Sequence, residues 1–186
     1  MSVAVARETP EPDTTVPHEE WLLRLTYHPE HFENGEIRPS AVNLEDLSSR
    51  GYSVDREHLV APATITERAR DQTAKNPKDR QSSFMSRFEC GPVCNEVDTA
   101  GQTAFLVEAS PVEATEECEA NPAHAHIKSA VHRGKAGLRQ IRLLLLRHLQ
   151  NLVTLDEYMA GVASNDDGWV NTPPDASVSA DPDGAA

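Results

Sequence analysis

The sequence predicts an α+β fold: a small, mostly antiparallel sheet packed against a C-terminal Leu-rich helix, with disordered acidic tails at both ends. Three observations carry this reading. Trp21, Leu23, Leu25 and Tyr27 alternate with Leu22, Arg24 and Thr26, the period of a strand with one buried face. Leu138, Leu145, Leu152 and Met159 recur every seven residues, with Ile141, His148 and Leu155 between them and Leu144, Leu149 and Val153 widening the stripe, so one helix is predicted over about 135–159. The ends combine acid, proline and small residues with little apolar surface to bury. The expected organisation is a tail over 1–18, a single domain over 19–162 and a second tail over 163–186.

The elements between follow from local signals. Pro29 and Asn34-Gly35 end the first strand, and Glu36 to Val42 is expected to pair back as an edge strand, Pro39 being tolerated where no ladder donor is needed. Asn43 to Arg50 suits one short helical turn before Gly51, and Tyr52-Ser53-Val54 another extended piece. Thr64 and Glu67 have the spacing of a capping box, and Thr64 to Lys75 carries good helix formers with a thin apolar stripe, which predicts a surface helix. Residues 83–88 and 103–109 read as strands around a turn at Asp98-Thr-Ala-Gly101, and Ala123 to Val131 as a further strand. No internal repeat is visible.

A length of 186 residues suits one domain with a modest core. The formal net charge is -13, but residues 1–20 account for -4 and 164–186 for -5, which leaves the body at -4. The acidity is therefore concentrated in the ends. The longest unbroken run of large apolar residues is Leu143 to Leu146, far short of the ~20 residues that a bilayer demands, so no membrane span is expected. Glu8, Pro10, Glu11 and Pro12 stand where a secretory leader would need apolar residues, and the three cysteines make an odd count for a disulfide scaffold. Both point to a cytoplasmic protein.

Three stretches together resemble a group of small prokaryotic proteins without an assigned activity. They are Leu22-Leu-Arg-Leu25 with His28-Pro29 and Gly35-Glu-Ile-Arg-Pro-Ser-Ala41, then Gly51-Tyr-Ser-Val-Asp-Arg56, and then Asn121-Pro-Ala-His124. The likeness covers about residues 20–130 and implies a shared domain without specifying its chemistry. Val42 stands where the group shows Phe, and the Leu-rich helix looks like an addition to the pattern.

Candidate chemistry lies in three places. Cys90 and Cys94, in Cys-Gly-Pro-Val-Cys, with Cys118, His124 and His126, supply enough soft and borderline donors for zinc, the one cofactor the sequence suggests. If 123–131 is a strand, His124 and His126 share a face. Asn121 and His124 form a second candidate, with His124 as general acid or base near neutral pH and Asn121 bonding its own backbone. No Gly-x-Ser-x-Gly elbow, phosphate loop, dinucleotide fingerprint or His-Glu-x-x-His helix accompanies them. The third feature is charge segregation: Lys128 to Arg147 holds six bases and no acid, and Glu89 to Glu119 eight acids and no base. Nucleic acid would use the basic block, but it lacks aromatic stacking groups, and a match between the two blocks needs fewer assumptions. The sequence thus reads as a small soluble interaction or accessory protein, with a protein partner or a homodimer through helix 135–159. A Cys/His zinc protein or His-dependent enzyme is the alternative, and a nucleic-acid binder using 128–147 the next.

Overall fold

The alternation that begins at Trp21 forms β1 (Trp21–Pro29), and the sheet is assembled around it. A computed structural model describes residues 14–115 and 119–164. On one side β1 runs antiparallel to β5 (Arg80–Glu89), from Trp21 opposite Glu89 to Pro29 opposite Arg80. On the other it pairs with β4 (Tyr52–Arg56). β6 (Phe105–Ala109), β7 (His124–Ser129) and β8 (Leu152–Thr154) complete a six-stranded antiparallel sheet in the order β6-β7-β4-β1-β5-β8. The mostly antiparallel α+β expectation therefore holds. One detail differs: both faces of β1 are covered, with Leu22 and Thr26 buried on one and Leu23 and Tyr27 on the other.

The larger core lies beneath α3 (Lys135–His148), whose Leu138, Ile141, Leu145 and Leu146, with Leu149 just beyond, pack on Leu22, Tyr52, Val54, Phe88, Phe105, Val107 and Ile127. The helix that the heptad pattern extends to Met159 stops at His148. Its terminal Leu149 carbonyl accepts a hydrogen bond from Ser86 Oγ at 3.0 Å, and Leu152 to Thr154 then run extended along β5, Val153 opposite Met85. A new helix, α4 (Leu155–Ser164), begins where Thr154 and Glu157 close a capping box: Glu157 N–H donates to Thr154 Oγ1 at 3.2 Å, and Thr154 N–H and Oγ1 donate to Glu157 Oε2 at 2.8 and 2.7 Å. β-branched Val153 and Thr154 favour the extended segment, and the ladder to β5 outweighs continued helix.

A smaller core on the opposite face joins Leu23 and Met85 to Ile65 of α1 (Pro62–Lys75) and Tyr158 of α4. Tyr158 also donates to Glu57 Oε1 at 3.0 Å, and Glu57 pairs with Arg87, whose guanidinium lies 3.6 Å from the centre of the Trp21 ring. Within α1 only Ile65 and Ala69 are buried, so it is the surface helix expected. Its capping box does not form, because Pro62 opens the helix two residues earlier, with Ala61 as N-cap.

The expected edge strand 36–42 is shorter. β2 (Phe32–Glu33) and β3 (Glu36–Ile37) make a separate hairpin whose turn residues, Asn34 and Gly35, both have positive φ. Pro39 then starts a 3₁₀ turn to Ala41. Asp46–Arg50 forms a single π-helical turn, and the Asp98–Gly101 turn forms as expected.

Part of the expected N-terminal tail belongs to the domain. Val16 is fully buried and its N–H bonds Val107 O, and Ala109 N–H bonds Thr14 O, so residues 14–16 line the outer edge of β6. The apolar Val16 and the unmet edge of β6 supply the reason. Residues 1–13 and 165–186, with Trp169 and Val170, lie outside the described residues, as does Cys118. Among the described residues no helix is long and apolar enough to cross a membrane.

Leu145→Ala should cost about 2–5 kcal/mol in chemical denaturation, because it opens a cavity at a fully buried site. Thr154→Ala should cost about 1 kcal/mol by the same measurement through loss of the α4 cap.

Candidate functional site

Because α1 presents only a thin apolar stripe, it leaves part of the sheet face beside it open. The result is a groove of about 790 Å³, floored by Leu23, Leu25, Ser53 and Asp55, walled on one side by α1 and on the other by the segment around Val112 and Asn121. Asp55 is the hub of its polar floor. Its Oδ2 accepts Arg68 Nη1 and its Oδ1 accepts Asn121 Nδ2, both at 2.8 Å. Asn121 Oδ1 in turn accepts the Ala123 N–H at 3.2 Å, the local turn expected from Asn-Pro, and the Asn121 backbone exchanges two hydrogen bonds with Val112.

His124 faces Asp55 directly across the β4–β7 ladder. Its Nδ1 lies 2.7 Å from Ser110 O. A carbonyl only accepts, so Nδ1 holds the proton, and in the neutral ring Nε2 keeps a lone pair. His126 follows on the same face, as the strand period predicts, and the two rings meet edge to face at 4.6 Å. Burial first, then the neighbouring His124 and Lys128, lower the His126 pKa below the usual imidazole value. The His126 ring packs against Gly51, which has φ +89°, and a Cβ there would sit 2.4 Å from the ring. The Gly51–Arg56 and Asn121–His124 stretches, distant in sequence, thus meet at this floor.

Of the residues expected to hold zinc, the described Cys90, Cys94, His124 and His126 are not brought together in one cluster. Cys90 and Cys94 lie on α2 (Cys90–Cys94), Cys90 inside the core under α3, whereas His124 and His126 stand on the opposite face of the sheet. Among the described residues no group of three or more His, Cys, Asp or Glu is placed to hold a metal ion. The sheet itself separates the two pairs, which the sequence order 90, 94, 124, 126 did not reveal.

The charged blocks meet within the domain. Arg133 binds Asp98 at 2.9 Å with both side chains nearly buried, Arg147 and His148 bind Glu96 at 3.2 and 2.9 Å, and Lys128 lies 3.5 Å from Glu108. The stripe of α3 is buried against its own sheet through Leu138, Ile141, Leu145 and Leu146, while Leu143, outside that stripe, is 58% exposed.

No protein-family model, curated protein or solved structure matches the chain. The fold and groove define it as a small α+β domain with a polar cleft on one sheet face. Of the groove residues, sequence reasoning found Asn121 and His124 and missed Asp55, Arg68 and His31. Asp55 sits in an alternating strand and Arg68 on a surface helix, and neither position shows a local signal.

His31 lines the groove near Arg24 and Arg80, and burial, reinforced by these cations, lowers its pKa to about 4 against the pull of Glu30. The folded form stays neutral while the unfolded chain takes up a proton near the ordinary value of 6.5, so stability falls as pH drops from about 6.5 to about 4. His31→Gln should make the thermal midpoint less sensitive to pH across that window.

Proposed function

We propose that this chain is an interaction or accessory protein whose groove takes a polar, extended ligand, such as a backbone segment of a protein partner. The observation that carries this reading is the Arg68–Asp55–Asn121 row on the groove floor, beside His124. Asp55 holds Arg68 and Asn121 in place. The guanidinium keeps further N–H donors, and His124 Nε2 offers an acceptor, the complementary pair that an amide requires. Pre-positioned polar groups in a concave site lose little freedom on binding. The pairing of Arg133, Arg147 and Lys128 with acids of the same chain favours a protein ligand over nucleic acid. The odd count of three cysteines supports a cytoplasmic setting.

The His-dependent enzyme is the second reading, favoured by the lone pair on His124 Nε2 alone, with His124 lining the groove. It requires turnover of a bound compound that His124→Gln abolishes while binding persists.

A panel of short capped peptides, titrated against labelled protein, tests the first reading. Amide shifts should gather at Ser53, Asp55, Asn121 and His124, and Asp55→Ala should weaken the strongest binder at least tenfold while Leu143→Glu leaves it unchanged. Shifts gathered on α3 instead, or equal binding by Asp55→Ala, would reject the groove as the site.

A further inference from the structure

The short helix α2 carries chemistry that the groove does not use. Folding Cys-Gly-Pro-Val-Cys into one helical turn places Cys90 and Cys94 four residues apart, a Cα separation of about 6 Å, within the span a disulfide bridges. Their sulfurs already lie 3.7 Å apart.

The two thiols have different surroundings. Cys90 is fully buried among Val16, Val93 and Phe105, and its sulfur lies 3.7 Å from Val16 O. Cys94 is half-buried, at the margin of the same core. The N-terminal segment closes over both: Cys90 N–H donates to Glu20 O and Gly91 N–H to His18 O, each at 2.9 Å. A Cβ at Gly91 would stand 3.1 Å from His18 O, so glycine lets that segment lie close. The contact between the sulfurs divides the pair, since the single Cys90 proton, for which Val16 O competes at the same distance, stabilises a thiolate on Cys94 when it turns to that sulfur. His18 and the Val107 backbone N–H add to that effect, and the Cys94 pKa is lowered below the ordinary thiol value. The same contact, then burial, raises that of Cys90. A half-buried thiolate beside a buried thiol is the arrangement of an attacking and a resolving cysteine.

We propose that Cys90 and Cys94 form a redox-active dithiol that reduces hydroperoxides, with Cys94 attacking and Cys90 resolving. The Cys94 thiolate attacks the terminal peroxide oxygen. A sulfur–oxygen bond forms, the oxygen–oxygen bond breaks, and the departing alkoxide takes a proton from water, leaving Cys94 as sulfenic acid. Cys90 sulfur then attacks Cys94 sulfur. The disulfide forms, the sulfur–oxygen bond breaks, and the hydroxyl leaves as water with the Cys90 proton. Two electrons pass from the dithiol to the peroxide, which ends as alcohol and water. This assignment is independent of the groove, which lies on the other side of the sheet.

Hydrogen peroxide is the probe, applied to full-length Cys118→Ser protein so that two thiols remain. Intact mass should fall by two hydrogens, both thiols should become resistant to alkylation, and a dithiol reductant should restore them. In Cys118→Ser/Cys90→Ser the oxidation should stop at a sulfenic acid on Cys94 that dimedone captures. Cys118→Ser/Cys94→Ser should leave Cys90 unmodified at the same dose. Two free thiols in the folded Cys118→Ser protein after exposure would overturn the proposal. So would preferential sulfenic acid formation on Cys90, or accumulation of over-oxidised Cys94 with Cys90 present.

Discussion

Burial of β1 on both faces is the constraint on which the rest of this structure depends. Leu22 and Thr26 lie on the α3 face of the strand and Leu23 and Tyr27 on the α1 and α4 face, so burial is required on both sides and the strand lies inside the sheet. Its two neighbours, β4 and β5, follow from that position. The helices are then obliged to divide between two layers. Had the residues between Leu149 and Leu155 stayed helical, α3 and α4 would have been one rod on one face, and Leu23, Met85 and Ile65 would have lost Tyr158 as their cover. The change of direction at 149–154 carries the chain to the far edge of the sheet and across to its other side.

The groove is a consequence of unequal cover. Five apolar residues of the α3 region fill one face, whereas α1 contributes Ile65 and Ala69 to the other. Where apolar cover runs out, the sheet must present groups that water or a ligand can satisfy, and Ser53, Asp55 and His124 occupy that ground. Asp55 is only partly shielded and is held by one cation and one amide, a combination that fixes a carboxylate without sealing it off. The chain's negative charge has little bearing here, since much of it belongs to the ends and the body pairs its acidic and basic blocks internally.

Much of the architecture was legible because its signals are local. The alternation at 21–27, the turn residues Asn34-Gly35 and Asp98 to Gly101, and the thin stripe of α1 each depend on neighbours within a few positions. The candidate site was legible only in part: Asn121 and His124 announce themselves through a turn and an imidazole, whereas Asp55 and Arg68 look like ordinary polar residues until β4 is laid beside β7 and α1 above them.

The sequence by itself determined the α+β class, most of the strand positions and the shared face of His124 and His126, since side-chain direction in a strand follows from a period of two. Only the tertiary structure decided where the long Leu-rich segment would break. Its seven-residue recurrence runs unbroken to Met159, and what ends the helix is a distant strand, β5, whose open edge binds Leu152 to Thr154 and whose Ser86 bonds the last carbonyl. The tertiary structure likewise set Cys90 and Cys94 apart from the histidines, because which side of a sheet a residue reaches depends on how the chain crosses over, and sequence spacing carries no record of that crossing.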